Sequence, residues 1–253
     1  MTSNFSKLLI AICTYDEINN LPLLYKALRE TFATASILVV DDNSPDGTGK
    51  WCDQTAKQDP RFFVIHRKQK SGLGSATITA FEFAINKQYE FIMTMDGDRS
   101  HSPNQAQAVL QKLLERDENQ ISIGSRYIRG GKIENWPLQR HLMSGSINTY
   151  SRLLIGLSIR DCSSAFRCYR VSFLAKIDLG AIEGMGYAYL EEILWWGKCL
   201  GAQMAETPIT FGNRVEGKSK INFAEAVHAL WIIFRIGVKR LLRIGIPKPR
   251  QQT

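Results

Sequence analysis

The 253-residue chain predicts an α/β fold, a mixed, mostly parallel sheet with helices on both faces. Three observations carry this reading. Strand-like and helix-like segments alternate from the start of the chain. Clusters of aspartate, glycine and serine follow the apolar runs, as expected where function gathers beyond the carboxyl ends of parallel strands. A hydrophobic content of 44% over this length supports a single large core, and 10% aromatic and 22% charged residues argue against disorder.

Residues 8–14 form the first strand. Lys7 precedes them, but six apolar residues are too few for a secretory leader, and Asp16 and Glu17 follow at once. Residues 19–32 carry Leu21, Leu24, Tyr25 and Leu28 at helical spacing. A second strand over 36–40 runs into Asp41-Asp42-Asn43-Ser44-Pro45-Asp46-Gly47-Thr48, a dense run of turn and capping residues. A helix over 51–58 and a strand over 62–65 follow. Lys70-Ser71-Gly72-Leu73-Gly74-Ser75-Ala76 opens a helix reaching about residue 88. It suits either an anion-holding helix start or a plain one, and is neither a Walker loop nor a dinucleotide fingerprint.

Residues 91–95 are the fourth strand and deliver Asp96-Gly97-Asp98. Two carboxylates two residues apart at a strand end can turn toward one hard divalent cation, with Gly97 easing the bend; the same triplet also serves as a plain polar turn. Pro103 suits the first turn of a helix through residue 115, and 121–124 is a further strand. Then the alternation breaks down. A helical stretch sets Arg140, Ser144, Asn148 and Arg152 on one face, with no acid from 138 to 160. Beside an acidic pair, such a stripe fits a phosphate partner better than a solvated face. Residues 161–170 read as a turn and a short strand, Glu191 and Glu192 open a helix, and 206–211 reads as an edge strand because Pro208 cannot donate to a central ladder. Arg214, Lys218 and Lys220 follow in a glycine-bearing loop.

The net charge of +8 is a property of the tail. No acid follows Glu225, whereas Arg235, Lys239, Arg240, Arg243, Lys248 and Arg250 do, and without these six the chain carries +2. That distribution, with no recognised motif, argues against nucleic acid. Residues 223–246 are amphipathic and fit either an ordinary helix packed on the core or an interfacial helix on anionic lipid. No apolar run approaches the ~18 residues of a spanning helix. Five scattered cysteines without metal-type spacing suggest reduced thiols in a cytosolic compartment.

Several motifs agree in order and spacing with one family. Over residues 7–222 the chain resembles the dolichol-phosphate mannose synthases, or polyprenol-phosphate glycosyltransferases, of glycosyltransferase family 2. The resemblance lies in Thr14-Tyr15-Asp16-Glu17, the full run from Asp41 to Thr48, Gly72-Leu73-Gly74, Asp96-Gly97-Asp98, Gly124 to Tyr127, Asp161 to Arg167, and Arg214-Val215-Glu216-Gly217-Lys218-Ser219-Lys220.

The resemblance implies a GT-A, Rossmann-like nucleotide-diphosphosugar-binding domain over 1–222, followed by the basic amphipathic helix and tail of 223–253. It implies nucleotide contacts from Cys13, Tyr15, Glu17, Val40, Asp42, Asp96, Gly97 and Asp98, with Cys13 where relatives often have proline. Mg2+ or Mn2+ would sit on Asp96 and Asp98, with Ser100 where relatives show Gln or Ser. Arg126, Arg140, Ser144, Arg214 and Lys220 would meet the acceptor phosphate and, with the two aspartates, form the catalytic set. There are departures: Gly97 replaces alanine harmlessly, Arg99 replaces an apolar residue and would alter packing of the metal loop, and Ala165 replaces glycine and would reshape the sugar pocket.

The implied activity is inverting, metal-dependent transfer of a sugar, mannose from GDP-mannose above all, to a polyisoprenyl phosphate. The enzyme would be cytoplasmic and peripheral on the cytoplasmic face of a membrane, without a spanning helix or signal peptide. Transfer of glucose or N-acetylglucosamine from UDP is the alternative activity, and a non-catalytic nucleotide-sugar-binding relative the alternative class. The acceptor phosphate is ionised and needs no base, which suits a chain whose His66, His101, His141 and His228 have no evident acid-base partner in the sequence.

Overall fold

The computed structural model describes residues 5–212 and 223–250. The first half alternates as expected: β1 (Leu8–Thr14), α1 (Leu21–Thr31), β2 (Ser36–Asp41), α2 (Thr48–Gln58), β3 (Phe62–His66), α3 (Leu73–Asn86), β4 (Phe91–Asp96), α4 (Pro103–Leu114) and β5 (Asn119–Ser125). There follow β6 (Lys132–Ile133), α5 (Leu138–Ile155), β7 (Arg167–Arg170), α6 (Val171–Leu174), α7 (Tyr189–Cys199), β8 (Gln203–Pro208), β9 (Thr210–Phe211) and α8 (Phe223–Leu242).

Seven strands form one sheet in the order β3-β2-β1-β4-β7-β5-β8, and β6 pairs with β9 apart from it. Within the large sheet β7 alone runs antiparallel, wedged between β4 and β5. Strand alternation divides the core. Leu9, Ala11, Leu38 and Val40 face α3 and α7, whereas Leu8, Ile10, Ile12, Ile37 and Val39 face α1 and α4. Ile232, Ile233 and Ile236 bring α8 onto the first of these faces.

Two expected boundaries move. Helix α2 starts at Thr48, three residues early, because Gly47 takes the left-handed φ of +97° that turns the chain directly into it. The stretch 206–211 belongs to two strands: β8 ends at Pro208 on the sheet edge, as its missing donor requires, and Thr210 and Phe211 pair with β6.

The glycine-bearing start of α3 serves packing. Gly74 N–H donates to Gly186 O and Ser75 N–H to Met185 O, both at 3.2 Å, so these first-turn donors are taken up by the 184–186 loop. A Cβ on Gly74 would lie 2.1 Å from Gly184 O. The plain reading of this helix start is the one the geometry favours.

Candidate active site

Register places the carboxyl ends of three strands side by side. Cys13 of β1 lies level with Val40 of β2 and Asp96 of β4. Beyond this rim lies a cavity lined by Cys13, Tyr15, Glu17, Asp42, Lys70 and Asp96 to Asp98, with Gly186, Tyr187 and Glu225 closing it. Val40 is fully buried beneath, packed in the core. Burial pushes the Cys13 thiol up to about 12, making it a neutral wall of the cavity.

The run 41–48 divides its labour. Asp41 accepts from Thr14 Oγ1 at 3.0 Å and from Ser44 N–H at 3.1 Å. Asp46 accepts from Ile18 N–H and Thr48 N–H at 3.0 and 2.9 Å, while Thr48 Oγ1 accepts from Glu17 N–H at 3.1 Å. Partial burial works the other way, but the hydrogen bonds hold the Asp46 carboxyl below its usual range. These bonds fasten the 15–18 turn, where Asp16 sits at φ +57°, so Tyr15 and Glu17 are presented by a braced loop. Asp42 is the member that faces the cavity. Arg67 lies 2.9 Å from Oδ1, and Ser71 N–H donates to Oδ2 at 3.3 Å. Burial raises the Asp42 carboxyl above its usual range against the pull of Arg67. Lys70 Nζ stands 4.4 Å from the centre of the Tyr15 ring.

At the end of β4, Asp98 is buried and Asp96 partly exposed. Ser100 donates its N–H to Asp98 Oδ1 at 3.0 Å and its hydroxyl to the same oxygen, which orients that carboxylate. The left-handed position of this turn is Arg99, at φ +64°, and not Gly97, so the expected role of Gly97 in the bend is corrected. A Cβ at Gly97 would meet Ile12 Cγ2 at 3.3 Å, and the glycine keeps the floor thin where Ile12, Thr14 and Glu17 crowd. Arg99 itself is exposed.

The buried His101 ring takes a hydrogen bond from Asp96 N–H on Nδ1 at 3.2 Å, and burial pushes it down to about 4. It is therefore neutral, and the Asp96 carboxylate 3.8 Å away forms no ion pair with it. His66 does have an acid partner, Asp53 at 2.8 Å, in an exposed pair outside the cavity lining. Among the described residues no three His, Cys, Asp or Glu side chains form a metal-binding group. Two hard carboxylates beside an open cavity fit a Mg2+ or Mn2+ ion that completes its shell with substrate phosphates and water.

A second cluster lies across His101, Phe166 and Phe211. His101 stacks on Phe166 at 4.6 Å, and Phe211 packs edge-on against His101 at 5.2 Å and against Trp136 at 5.5 Å. Arg126 is buried here, and its Nε and Nη2 donate to the two Asp161 oxygens at 2.8 and 2.7 Å. Burial opposes its charge, but Asp161 outweighs that and holds the guanidinium more firmly protonated than usual. Tyr127 donates to Ser144 Oγ at 2.7 Å, and Arg140 lies over the Trp136 ring at 3.9 Å.

Of the helical stripe expected to meet phosphate, Asn148 is buried and serves the fold: its Oδ1 accepts from Cys162 and Ser163 N–H at 2.7 and 3.2 Å, and its Nδ2 donates to Ser163 Oγ, the hydroxyl that also accepts from Arg126 Nη2. Ser144 joins the same cluster through Tyr127, and Arg140 through the Trp136 ring. Arg214 and Lys220 lie outside the described residues. Spacing did not reveal Arg67, Trp136, Asp161 or Tyr187 as site residues: Arg67 and Asp161 reach Asp42 and Arg126 across the fold, and the rings of Trp136 and Tyr187 join the clusters only once the chain has folded. Lys70 did carry a signal, a lysine just before the glycine-bearing helix start.

Behind the rim, Glu191 of α7 is buried near Arg167, whose guanidinium donates to Leu190 O and Cys162 O. Burial raises Glu191 to about 8 although Arg167 pulls the other way. A carboxyl raised in the folded state contributes stability that is full below its ordinary value near 4.5 and is lost as pH rises through about 8. Thermal melts of wild type and Glu191→Gln are therefore expected to coincide near pH 5 and to separate by several degrees at pH 8, with the variant the more stable; parallel curves would refute the assignment.

The profile of Glycosyl transferase family 2 matches residues 9–178. The undecaprenyl-phosphate mannosyltransferase of Micrococcus luteus is 40% identical over 216 residues, covering 85% of this chain and 88% of that protein. The polyprenol monophosphomannose synthase of Mycolicibacterium smegmatis is 38% identical over 91% of this chain and 87% of its own. The dolichol-phosphate mannosyltransferase of Pyrococcus furiosus is 34% identical over 91% of this chain, which spans 63% of that protein. In fold, the chain matches glucosyl-3-phosphoglycerate synthase from Mycobacterium tuberculosis, crystallised with Mn2+, UDP and phosphoglyceric acid, at a TM-score of 0.65 and 15% identity over 95% of this chain and 79% of that one.

Proposed function

The chain belongs to glycosyltransferase family 2 and is a glycosyltransferase; from that premise we propose that it transfers mannose from GDP-mannose to a polyisoprenyl phosphate with inversion at the sugar carbon. The observation that carries this reading is the pairing of two unlike clusters across His101: an acidic cavity at the ends of β1, β2 and β4, and an arginine-bearing cluster at the start of α5.

In this reading the nucleoside lies against Tyr15, Glu17 and Asp42, with Cys13 as its apolar boundary and Gly97 leaving room beside the diphosphate; the expected Val40 contact is corrected, because that side chain is buried in the core and does not line the cavity. Asp96 and Asp98, the latter oriented by Ser100, would hold a Mg2+ or Mn2+ ion, which when bound supplies positive charge to the departing diphosphate. Arg140, Ser144, Arg214 and Lys220 meet the acceptor phosphate, and Arg126, fixed by Asp161, adds its field and anchors the cluster. The phosphate oxygen is itself the nucleophile. A neutral, buried His101 is consistent with a reaction in which no side chain removes a proton.

The acceptor is a lipid, and α8 offers a surface for one. Trp231 and Phe234 stack on each other, about half exposed, followed by exposed Leu241, Leu242 and Ile244 among basic residues. On α5, Leu138, Leu142 and Met143 are exposed beside Arg140. No helix among the described residues is long and apolar enough to cross a membrane. Peripheral docking of residues 223–253 on the cytoplasmic face, next to the catalytic domain of 1–222, fits this surface.

The test is a donor panel. GDP-mannose, UDP-glucose and UDP-N-acetylglucosamine are offered with polyprenyl phosphate, with and without Mn2+. Mannosyl transfer that needs the metal is expected; preference for a UDP-sugar would overturn the donor assignment, and binding of every donor without turnover would make the chain a non-catalytic relative.

A further inference from the structure

Two walls of the cavity at the ends of β1, β2 and β4 come from elements far apart in the chain: Gly186 and Tyr187 from the loop of 183–187, and Glu225 from the first turn of α8. One carboxylate ties these elements together. Glu183 Oε1 accepts from Arg235 Nη2 at 2.5 Å and lies 3.5 Å from Lys239 Nζ, the two cations one turn apart on α8. The stem of the loop is fixed separately, by Glu183 and Gly184 N–H on Glu192 Oε2 at 3.0 and 2.8 Å. At the other end of α8, Arg240 Nη1 donates to Leu153 O and Leu154 O at 3.2 and 3.1 Å, so the helix stays seated on α5 whether or not the Glu183 tie is made.

The place of the two cations on α8 makes the tie sensitive to what lies outside. Ile232 and Ile236 are buried in the core, while Trp231, Phe234 and Leu241 are exposed, so the helix is apolar on two faces. Its outer face suits lipid. Arg235 and Lys239 lie between the two faces, partly exposed, where a long basic side chain reaches headgroup phosphates as readily as a neighbouring carboxylate. A partly exposed ion pair is weak, and an anionic surface attracts each cation about as strongly, so the choice between the two is close to balanced.

We infer that the Glu183 tie couples the lipid surface to the cavity: anionic headgroups draw Arg235 and Lys239 away from Glu183, and the walls carrying Tyr187 and Glu225 part. The inference rests on the reading that the cavity holds the nucleotide and that α8 lies on lipid. Parted walls hold a nucleoside diphosphate less firmly, so its release is faster on an anionic surface than in solution. The coupling transmits no more than the strength of the pair itself, which sets an effect of about threefold.

The experiment uses the full chain as wild type, Glu183→Gln and the Arg235→Gln/Lys239→Gln double variant. Binding of GDP with Mn2+ is measured by calorimetry in buffer, with phosphatidylcholine vesicles, and with vesicles of equal parts phosphatidylcholine and phosphatidylglycerol; amide exchange of 183–187 is followed in parallel. For wild type, the Kd for GDP is expected to rise about threefold on the anionic vesicles and to stay unchanged on the neutral ones. Both variants are expected to show the raised value already in buffer and to gain nothing from either vesicle. Glu183→Gln binding GDP as tightly as wild type in buffer, or responding to anionic vesicles as wild type does, would overturn the inference. Should wild type fail to sediment with anionic vesicles, the lipid reading fails, and so does the coupling to a lipid surface. Should GDP bind under no condition, the nucleotide reading fails; exchange of 183–187 then decides, unchanged rates in wild type on anionic vesicles and in Glu183→Gln in buffer refuting the tie.

Discussion

Alanine at both Asp96 and Asp98 is expected to lower sugar transfer by at least about a thousandfold, because charge developing on the leaving diphosphate would lose its counter-charge. The cost to the fold should be small by comparison. Asp96 is partly exposed, and at Asp98 the loss is that of the acceptor for Ser100 N–H and its hydroxyl, about 1–3 kcal/mol. An Asp98→Asn control keeps an oxygen there. Binding of Mn2+ in the presence of GDP, followed by calorimetry, should vanish in the double variant while its melting temperature falls by only a few degrees. A double variant that still transfers sugar at the wild-type rate would remove these carboxylates from the mechanism.

The second large effect is on stability. Asp161→Ala leaves the Arg126 guanidinium buried without its carboxylate, which is expected to cost about 3–5 kcal/mol. For a domain of this size that is on the order of a 10 °C fall in melting temperature. Replacing both members, Arg126→Met with Asp161→Leu, should restore much of the stability, since no charge then remains buried. It should not restore acceptor use, because the field of Arg126 is gone. If the paired replacement melts as low as Asp161→Ala, the loss stems from packing and not from a stranded charge.

Much of the cavity at the ends of β1, β2 and β4 was legible in the sequence because it depends on local rules. Apolar runs at 8–14, 36–40 and 91–95 could only be buried strands, and each ends in acids that cannot continue into a core. The cluster around Arg126 and Trp136 was less legible. Strand β7 reads Arg-Cys-Tyr-Arg, and nothing in that string announces a central antiparallel strand; Arg167 is buried there only because Leu190 O and Cys162 O receive its guanidinium. The stripe on α5 was correct as a helical face, yet Asn148 points into the fold, since its partners, Cys162 and Ser163, come from a later turn. At 96–100 the sequence suggested the flexible glycine as the bend, whereas the left-handed residue is Arg99, a choice made by the hydrogen bonds of Asp98 and Ser100.

The reversed direction of β7 brings the chain back to the rim from which it left. Residues 126–166 depart from the end of β5 and return to the start of β7 one strand away, and the two ends are clasped by Gly124 N–H on Phe166 O at 2.8 Å, Ser164 Oγ on Gly124 O at 2.7 Å, and the Arg126 to Asp161 pair. Such an excursion is held at its neck but is not free of the body: Ile155, Leu157 and Ile159 enter the main core and β6 pairs with β9, so a change in its length is felt by the sheet and by α8 alike.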